Sequence, residues 1–178
     1  METLALEITH LTKKYRSGTL AVDDISLTIP KGEFFGFLGP NGAGKSTTIG
    51  CITGIAVPTT GTVKVFDVDV VDEYRRARVK VGLSPQDFNA DFFGTVYKTL
   101  DYVAGYYGLP KRARMERIEL LLTQFGLADH AHKPFNQLSG GLKRRVMLAR
   151  AMVHDPELII FDEPTSGVDV ELRHDLWR

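Results

Sequence analysis

The chain has 178 residues, 43% of them hydrophobic and 25% charged, which is ordinary for a globular protein with one sizeable core. Basic and acidic side chains number 22 each, so no net charge favours a nucleic-acid-binding or acidic-substrate-binding surface. The single Cys51 cannot form an intramolecular disulfide, and no leader-like segment opens the chain, which together predict a cytosolic location. Apolar runs such as residues 158–161 are far shorter than the ~20 residues that span a bilayer.

Strand-like segments come first along the chain. Short strands are predicted over residues 4–8, 21–29, 34–38, 62–66 and 79–83. The first two alternate apolar and polar residues and are followed by a Pro-Lys-Gly turn, which predicts an antiparallel hairpin. The third is apolar throughout, as in a strand buried on both faces.

Helical spacing of apolar residues begins near Thr95 and continues to about Phe125. The next helix is the best defined, because Leu142, Val146, Ala149 and Val153 recur at helical spacing before Asp155-Pro156 ends it. The apolar residues 158–161 then predict a buried strand, and a further helix is predicted from Asp169. We expect a single domain over residues 1–178, with a helical subdomain over about residues 90–150.

Residues 39–46 fit the phosphate-binding pattern G-x-x-x-x-G-K-[ST], between a predicted strand and a predicted helix. Glycines let successive N–H groups converge on one anion, and the helix N-terminus adds a partial positive charge. Lys45 would reach the β and γ phosphates, and Ser46 would offer a hydroxyl to Mg²⁺. A Gly-rich turn is the alternative, but a chance match in a chain of this length has a probability of roughly 1%.

Two carboxylates, Asp162 and Glu163, follow the last predicted strand, at the edge where α/β sheets bind ligands. Asp162 suits Mg²⁺, and Glu163 is placed to orient and deprotonate an attacking water. A solvated acidic loop is the alternative reading of such a pair alone. The phosphate loop elsewhere in the chain favours catalysis.

A second anion-binding helix start is predicted at Ser139-Gly140-Gly141, where Ser139 can cap the helix and the glycines let a phosphate approach the backbone. A plain N-cap is the alternative. Because one nucleotide has only one γ-phosphate, two such sites predict a nucleotide held between two copies of the chain.

The ordered set of residues 39–46, Gln86, residues 138–141, 158–163 and 166–169 resembles the ATP-binding subunits of ABC transporters over practically the whole chain. The sequence Leu-Ser-Gly-Gly is the most specific part, because other P-loop ATPases lack it. The resemblance implies an α/β fold of the ABC ATPase type: a P-loop NTPase core with a mixed sheet, an N-terminal antiparallel β-subdomain and a helical insertion. It also implies ATP hydrolysis with ATP and Mg²⁺, a separate transmembrane permease, a head-to-tail homodimer and a place at the cytoplasmic face of the membrane.

The same resemblance implies residue roles. Tyr15 would stack on adenine, although from the residues alone an aromatic near a strand end more often belongs to the core. The phosphate-binding residues would be Gly39, Asn41, Gly42, Ala43, Gly44, Lys45, Ser46 and Thr47. Ser46, Gln86 and Asp162 would bind Mg²⁺, and Glu163 would be the general base, with Lys45 and Gln86 assisting. Ser139, Gly140 and Gly141 would contact the γ-phosphate on the opposite subunit, and Asp169 would signal across the dimer.

Some residues depart from the family or mark a branch of it. Leu142 stands where Gln is usual, and the basic residues 143–145 together with residues 105–108 resemble exporter ATPases of the ABC-2 type. A solvated helix face is the alternative reading of the basic residues. Cys51 is expected to be a buried small hydrophobe.

The family carries a later histidine on a strand after the helix that begins near Asp169. His174 lies too close to Asp169 to be that residue. The chain is therefore predicted to be a fragment that lacks the last strands. The competing function is a soluble ABC ATPase acting on nucleic acid or ribosomes, but those proteins carry coiled-coil or zinc-binding insertions or a duplicated cassette, and the transporter reading involves no nucleic acid.

Overall fold

The computed structural model describes residues 3–85 and 94–162. It divides into two compact units, Met1–Val81 and Gly82–Arg178.

The first unit contains a four-stranded antiparallel sheet in the order β2-β1-β3-β4. Its strands are β1 (Leu4–Lys14), β2 (Leu20–Pro30), β3 (Thr60–Val65) and β4 (Val68–Asp69), and its helices are α1 (Lys45–Ile52) and α2 (Tyr74–Lys80). The predicted hairpin is confirmed as β1 and β2, both longer than expected. The strand predicted over residues 62–66 is confirmed as β3.

One face of this sheet forms the core of the first unit. Ile8 of β1 is paired with Leu27 of β2 and with Val63 of β3, and Ile8 and Val63 are each 1% exposed. Helix α1 contacts β2 and β3 and is buried through Cys51 and Ile52. This packing fixes the position of α1 on the sheet, and with it the end of the loop that precedes α1.

The strand predicted over residues 34–38 is wrong. These residues belong to neither sheet, and Phe34 and Leu38 are 73% and 92% exposed. An apolar run predicts burial, but a strand also needs neighbouring strands to take its backbone hydrogen bonds. Among the described residues of this unit, β1, β2 and β3 already pair with one another, and none of them pairs with residues 34–38.

The second unit contains β5 (Val81–Ser84) and β6 (Leu158–Phe161), which pair in parallel, and helices α3 (Val96–Tyr106), α4 (Lys111–Gln124) and α5 (Gly140–Met152). Two short 3₁₀ helices, Ala128–His130 and Phe135–Gln137, connect α4 to α5. The helical region predicted between Thr95 and Phe125 is confirmed as two helices, separated by a turn at Gly108 (φ 84°).

The helices of the second unit share one core. The side chains with no exposed surface include residues from all three helices: Leu100 and Ala104, Ile118 and Leu121, and Val146 and Ala149. Val146 and Ala149 are two of the positions at which the helical spacing of the sequence predicted an inward face. The periodicity of the sequence therefore gives the correct inward face of α5.

Two expectations for the strands of this unit need correction. Helix α2 continues to Lys80, so the strand predicted from residue 79 begins only at Val81. Residues 158–161 form a strand, as predicted, but they are half-buried and Phe161 is 39% exposed. Within the described residues β6 has β5 as its one neighbour, whereas a strand buried on both faces lies inside a larger sheet.

No helix in residues 3–85 and 94–162 is long and apolar enough to cross a membrane.

Candidate nucleotide-binding site

The loop of residues 39–46 leads directly into α1, as the phosphate-binding pattern predicted. The N–H group of Ala43 donates to the carbonyl of Pro40 (3.2 Å), and Gly42 and Gly44 have φ values of 83° and 87°. Glycine reaches this left-handed region without the strain that a Cβ would add. The exposed residues of the predicted phosphate site are Gly39, Asn41, Gly42, Ala43 and Ser46, and the half-buried ones are Gly44, Lys45 and Thr47.

Gly44 is also required by a close approach to β2. A Cβ at this position would lie 2.3 Å from the carbonyl oxygen of Ala21, which is backbone and cannot give way. Because Gly44 is the N-cap of α1, this contact fixes where the helix begins relative to the sheet. The helix N-terminus is thereby held in place by the fold of the first unit.

Lys45 is folded back over its own loop. Its Nζ donates hydrogen bonds to the carbonyl oxygens of Gly39 (2.6 Å) and Pro40 (2.9 Å). A lysine ammonium has three donors, so this position leaves one of them for an anion. The loop thus places a fixed positive charge beside a helix N-terminus, which is the electrostatic arrangement that binds phosphate.

The three hydroxyl residues that open α1 are not equivalent. Thr48 is buried and its hydroxyl donates to the carbonyl of Gly44 (3.0 Å). Thr47 is half-buried, and Ser46 is exposed. Ser46 is therefore the hydroxyl of this turn that is open to a ligand.

Tyr15 follows β1 and is 43% exposed. Its backbone closes a turn with Thr19 and Gly18, and Nζ of Lys13 lies 5.0 Å from the ring centroid. The alternative that placed this aromatic ring in the core is wrong, because nearly half of the side chain is open to solvent. An exposed ring of this kind can take a planar ligand on its face.

Cys51 lies in α1 and has no exposed surface. Burial raises the pKa of its thiol, and the charge of Lys13 acts weakly in the opposite sense. A neutral buried thiol is a poor nucleophile. Cys51 is therefore a buried residue of the core, as expected, and not a reactive group.

In the second unit the carboxyl ends of β5 and β6 lie side by side. The N–H group of Asp162, the residue after β6, donates to the carbonyl of Ser84, the last residue of β5 (3.0 Å). Asp162 is half-buried. The predicted site residues Gln86, Glu163 and Asp169, and also His174, lie outside the described residues.

Arg144 is a residue of this region that the sequence analysis did not assign to the candidate site. Its guanidinium donates from Nη1 to the carbonyl of Pro85 (2.9 Å), and the residue is only 1% exposed. Burial lowers the pKa of Arg144 from its ordinary value, and the nearby Asp162 carboxylate acts against that by raising it. The solvated-face interpretation of the basic residues is therefore wrong for Arg144.

A signal in the sequence would have located Arg144. The buried residues of α5 include Met147, Leu148 and Ala151, which lie three, four and seven positions after it. That spacing continues the inward face of the helix back to position 144. A basic residue on an apolar stripe indicates a buried charge with a specific partner.

The N-terminus of α5 is capped as predicted. The Ser139 side chain accepts a hydrogen bond from the N–H group of Leu142 (3.4 Å), and its carbonyl accepts one from Lys143 (2.9 Å). Gly140 begins the helix, and a Cβ built there meets nothing within 4 Å. Ser139 and Gly140 are exposed, and Gly141, the next residue, is half-buried.

The residues predicted to bind Mg²⁺ have suitable chemistry. Mg²⁺ prefers oxygen donors and usually keeps waters and substrate phosphates among its ligands, so it needs few protein groups. The exposed hydroxyl of Ser46 and the carboxylate of Asp162 are donors of this kind. Within residues 3–85 and 94–162 no group of three or more His, Cys, Asp or Glu residues forms a metal cage.

Comparison with known proteins gives one consistent family. The family model described as ABC transporter matches residues 22–166. Similar curated proteins are the Nod factor export ATP-binding protein I of Ralstonia nicotianae, 38% identical over 98% of this chain and 54% of the relative, and that of Sinorhizobium fredii, 42% identical over 98% and 50%. The chain therefore spans about half the length of the curated relatives it matches.

Solved structures agree with these sequence matches. The cbiO1 protein of Clostridium perfringens, described as part of the ABC transporter complex cbiONQ, is 30% identical with a TM-score of 0.85, over 98% of this chain and 71% of that one. The ATP-binding cassette MJ0796, in a dimeric post-hydrolysis state bound to ADP and Pi, is 28% identical with a TM-score of 0.86, over 96% and 79%. With a family model that covers residues 22–166 and an ABC ATPase fold, the chain belongs to the ABC transporter family.

Proposed function

We propose that this chain binds and hydrolyses ATP to drive export of a substrate through a separate membrane permease. The observation that carries the ATP-binding part is the position of Lys45, whose ammonium is held over the loop by the carbonyls of Gly39 and Pro40 at the N-terminus of α1. The names of the curated relatives, which are export ATP-binding proteins, support the direction of transport. The basic residues 143–145 further favour an exporter of the ABC-2 type.

In this mechanism the chain positions charge around the phosphates. The backbone N–H groups of residues 42–47 and Nζ of Lys45 would bind the β and γ phosphates, and Ser46, Asp162 and Gln86 are the residues that would hold Mg²⁺. When bound, Mg²⁺ would supply positive charge that offsets the negative charge of the phosphate oxygens during transfer of the γ-phosphate. Tyr15 stacks on the adenine ring.

Glu163 is proposed as the general base. It follows Asp162 at the strand end, where a carboxylate can orient a water molecule and accept its proton as the oxygen attacks the γ-phosphate. Ser139, Gly140 and Gly141 of a second copy would contact the same γ-phosphate in a head-to-tail dimer, and Asp169 would couple the two sites. The dimeric state of the MJ0796 structure supports this arrangement.

Phosphate release by the purified protein tests the enzymatic part. Because a positioned base contributes about 10²- to 10⁴-fold, Glu163→Gln should lower kcat by at least about 100-fold and leave ATP affinity within about twofold. Glu119→Gln, an exposed glutamate on α4, is the matched control and should hydrolyse ATP like the unaltered protein. Equal rates for the Glu163→Gln and Glu119→Gln variants would remove Glu163 from the reaction.

The transport part has a separate test. A tagged protein purified from detergent-solubilised membranes should retain a polytopic membrane protein in fixed ratio, and ATP hydrolysis should change when that partner is removed. Recovery of the tagged protein alone, with unchanged hydrolysis, would contradict a transport role and leave ATP hydrolysis standing. As part of the same proposal, the chain acts at the cytoplasmic face of the membrane.

A further inference from the structure

Arg144 occupies an unusual environment for a charged side chain. It is 1% exposed, and among the described residues its Nη1 has a hydrogen-bond acceptor, Pro85, while Nε and Nη2 have none. Burying a guanidinium with unsatisfied N–H groups costs free energy. An apolar side chain at this position of α5 would avoid that cost, so packing alone does not account for the arginine.

The groups around Arg144 belong to the ends of two strands. Pro85 follows β5 and Asp162 follows β6, and these ends are joined by the hydrogen bond from the Asp162 N–H group to the Ser84 carbonyl (3.0 Å). The Ser84 hydroxyl is buried and, within the described part of the chain, has no hydrogen-bond partner. We call Ser84, Pro85, Arg144 and Asp162 the strand-end cluster.

The charges of the strand-end cluster are complementary. The Arg144 guanidinium is positive and the Asp162 carboxylate is negative, and the two interact electrostatically. A cation held by one strand end through a hydrogen bond, and attracted by the carboxylate at the other, restrains both ends at once.

We propose that Arg144 is a positioning residue that ties α5 to the ends of β5 and β6 and thereby sets the position of Asp162, a proposed Mg²⁺ ligand. The inference rests on the proposed function, because Asp162 binds a metal only if the chain binds Mg²⁺-ATP. The same helix is capped by Ser139, the proposed contact to the nucleotide of a second copy. Arg144 therefore connects the start of α5 to the metal-binding end of the sheet.

Metal affinity tests this role apart from catalysis. Mn²⁺ replaces Mg²⁺ in an electron paramagnetic resonance titration of the protein with a non-hydrolysable ATP analogue, and analogue binding is measured separately in EDTA. Groups that orient metal ligands typically contribute 10- to 100-fold to metal affinity, so Arg144→Met should weaken Mn²⁺ binding by about tenfold. Analogue binding in EDTA should stay within about twofold, since Arg144 is not proposed to contact the nucleotide.

Two further variants separate positioning from folding. Replacing a buried ion by an apolar residue of similar volume is often neutral for stability, so Arg144→Met should fold, and Arg144→Lys keeps the charge in any case. Arg144→Lys retains one contact but loses the planar guanidinium group. Its Mn²⁺ affinity should therefore lie between those of the unaltered protein and Arg144→Met, about threefold below the unaltered protein. Arg117→Met is the control: Arg117 donates to the Met152 carbonyl (3.0 Å) and pairs with Asp155 (2.8 Å), and neither partner belongs to the strand-end cluster.

The outcomes are distinct. Weaker Mn²⁺ binding in Arg144→Met, an intermediate value in Arg144→Lys and an unchanged value in Arg117→Met support the role. Unchanged Mn²⁺ affinity in both Arg144 variants, or an equal loss of metal and EDTA-measured affinity, would overturn it while leaving the proposed function intact. Failure of the unaltered protein to bind the analogue at all would overturn the proposed function and this inference together.

Discussion

A glycine stands at the start of both α1 and α5, as the N-cap Gly44 and as the first helical residue Gly140, but the two glycines are there for different structural reasons. Gly44 has a φ of 87°, and a Cβ there would lie 2.3 Å from the Ala21 carbonyl oxygen. Gly140 has open space around it and no left-handed φ. The fold of the first unit requires Gly44, whereas nothing among the described residues requires Gly140. A glycine that the fold does not need is expected where an outside group approaches the backbone.

The largest expected effect separates the two glycines by stability. A Cβ at Gly44 adds left-handed strain of about 1–2 kcal/mol and a backbone clash, so Gly44→Ala should lower the free energy of unfolding by at least about 2 kcal/mol. Urea unfolding followed by circular dichroism measures it. A loss below about 0.5 kcal/mol would mean that α1 can shift away from β2 and that its start is not fixed.

The second prediction reverses the pattern at Gly140. Alanine is a better helix former, so Gly140→Ala should leave the free energy of unfolding within about 1 kcal/mol, on the stabilising side if it changes. ATP hydrolysis should nevertheless fall at least about tenfold, because losing a single phosphate hydrogen bond weakens transition-state binding by about 1.4 kcal/mol or more. Full activity in a stable Gly140→Ala protein would remove the proposed γ-phosphate contact.

The third prediction separates the two proposed roles of Ser139. Its side chain caps α5, so Ser139→Ala should lower the free energy of unfolding by about 1 kcal/mol, whereas Ser139→Asp should retain the cap. A carboxylate would repel a γ-phosphate, so Ser139→Asp should be stable and inactive in phosphate release. An active Ser139→Asp protein would show that Ser139 is only a cap.

The smallest effect concerns how firmly α1 is buried. Burial raises the pKa of Cys51, so its stabilising contribution is complete below the unfolded pKa of about 8.5 and is lost as the pH rises through the folded value. Relative to Cys51→Ala, the unaltered protein should lose about 0.4 kcal/mol of unfolding free energy by pH 8.5. Parallel stability curves from pH 7 to pH 9.5 would indicate that the thiol is hydrated and α1 loosely packed.

Several features of the fold and of the candidate site could be predicted because they depend on residues close together in the chain. Helical spacing identified the inward face of α5 at Val146 and Ala149, and Ser139 was recognised as its cap, because both depend on residues close in the chain. The loop and Lys45 were predicted for the same reason. The chain's resemblance to ABC transporter ATPases is confirmed by the family match over residues 22–166.

The structural features that were not predicted depend on contacts between residues far apart in the chain. Residues 34–38 are as apolar as a buried strand, but strand formation depends on neighbours that their own composition does not specify. Helix α2 begins at Tyr74 and has no side-chain hydrogen bond at its N-cap, so the sequence carries no capping signal for its start. In the sequence Arg144 is one of three consecutive basic residues. Its burial depends on a hydrogen bond to Pro85, 59 positions earlier in the chain, which the local sequence does not indicate.

The central claim is that residues 39–46 form a nucleotide-phosphate site with Lys45 as its cation, and calorimetric titration with Mg²⁺-ATP tests it most directly. Losing a charge-assisted contact of about 1.5–3 kcal/mol, Lys45→Ala should bind about 10- to 100-fold more weakly than the unaltered protein. Lys111→Ala, an exposed lysine at the start of α4, should bind normally. Equal affinity in the two variants, or no binding by the unaltered protein, would contradict the claim.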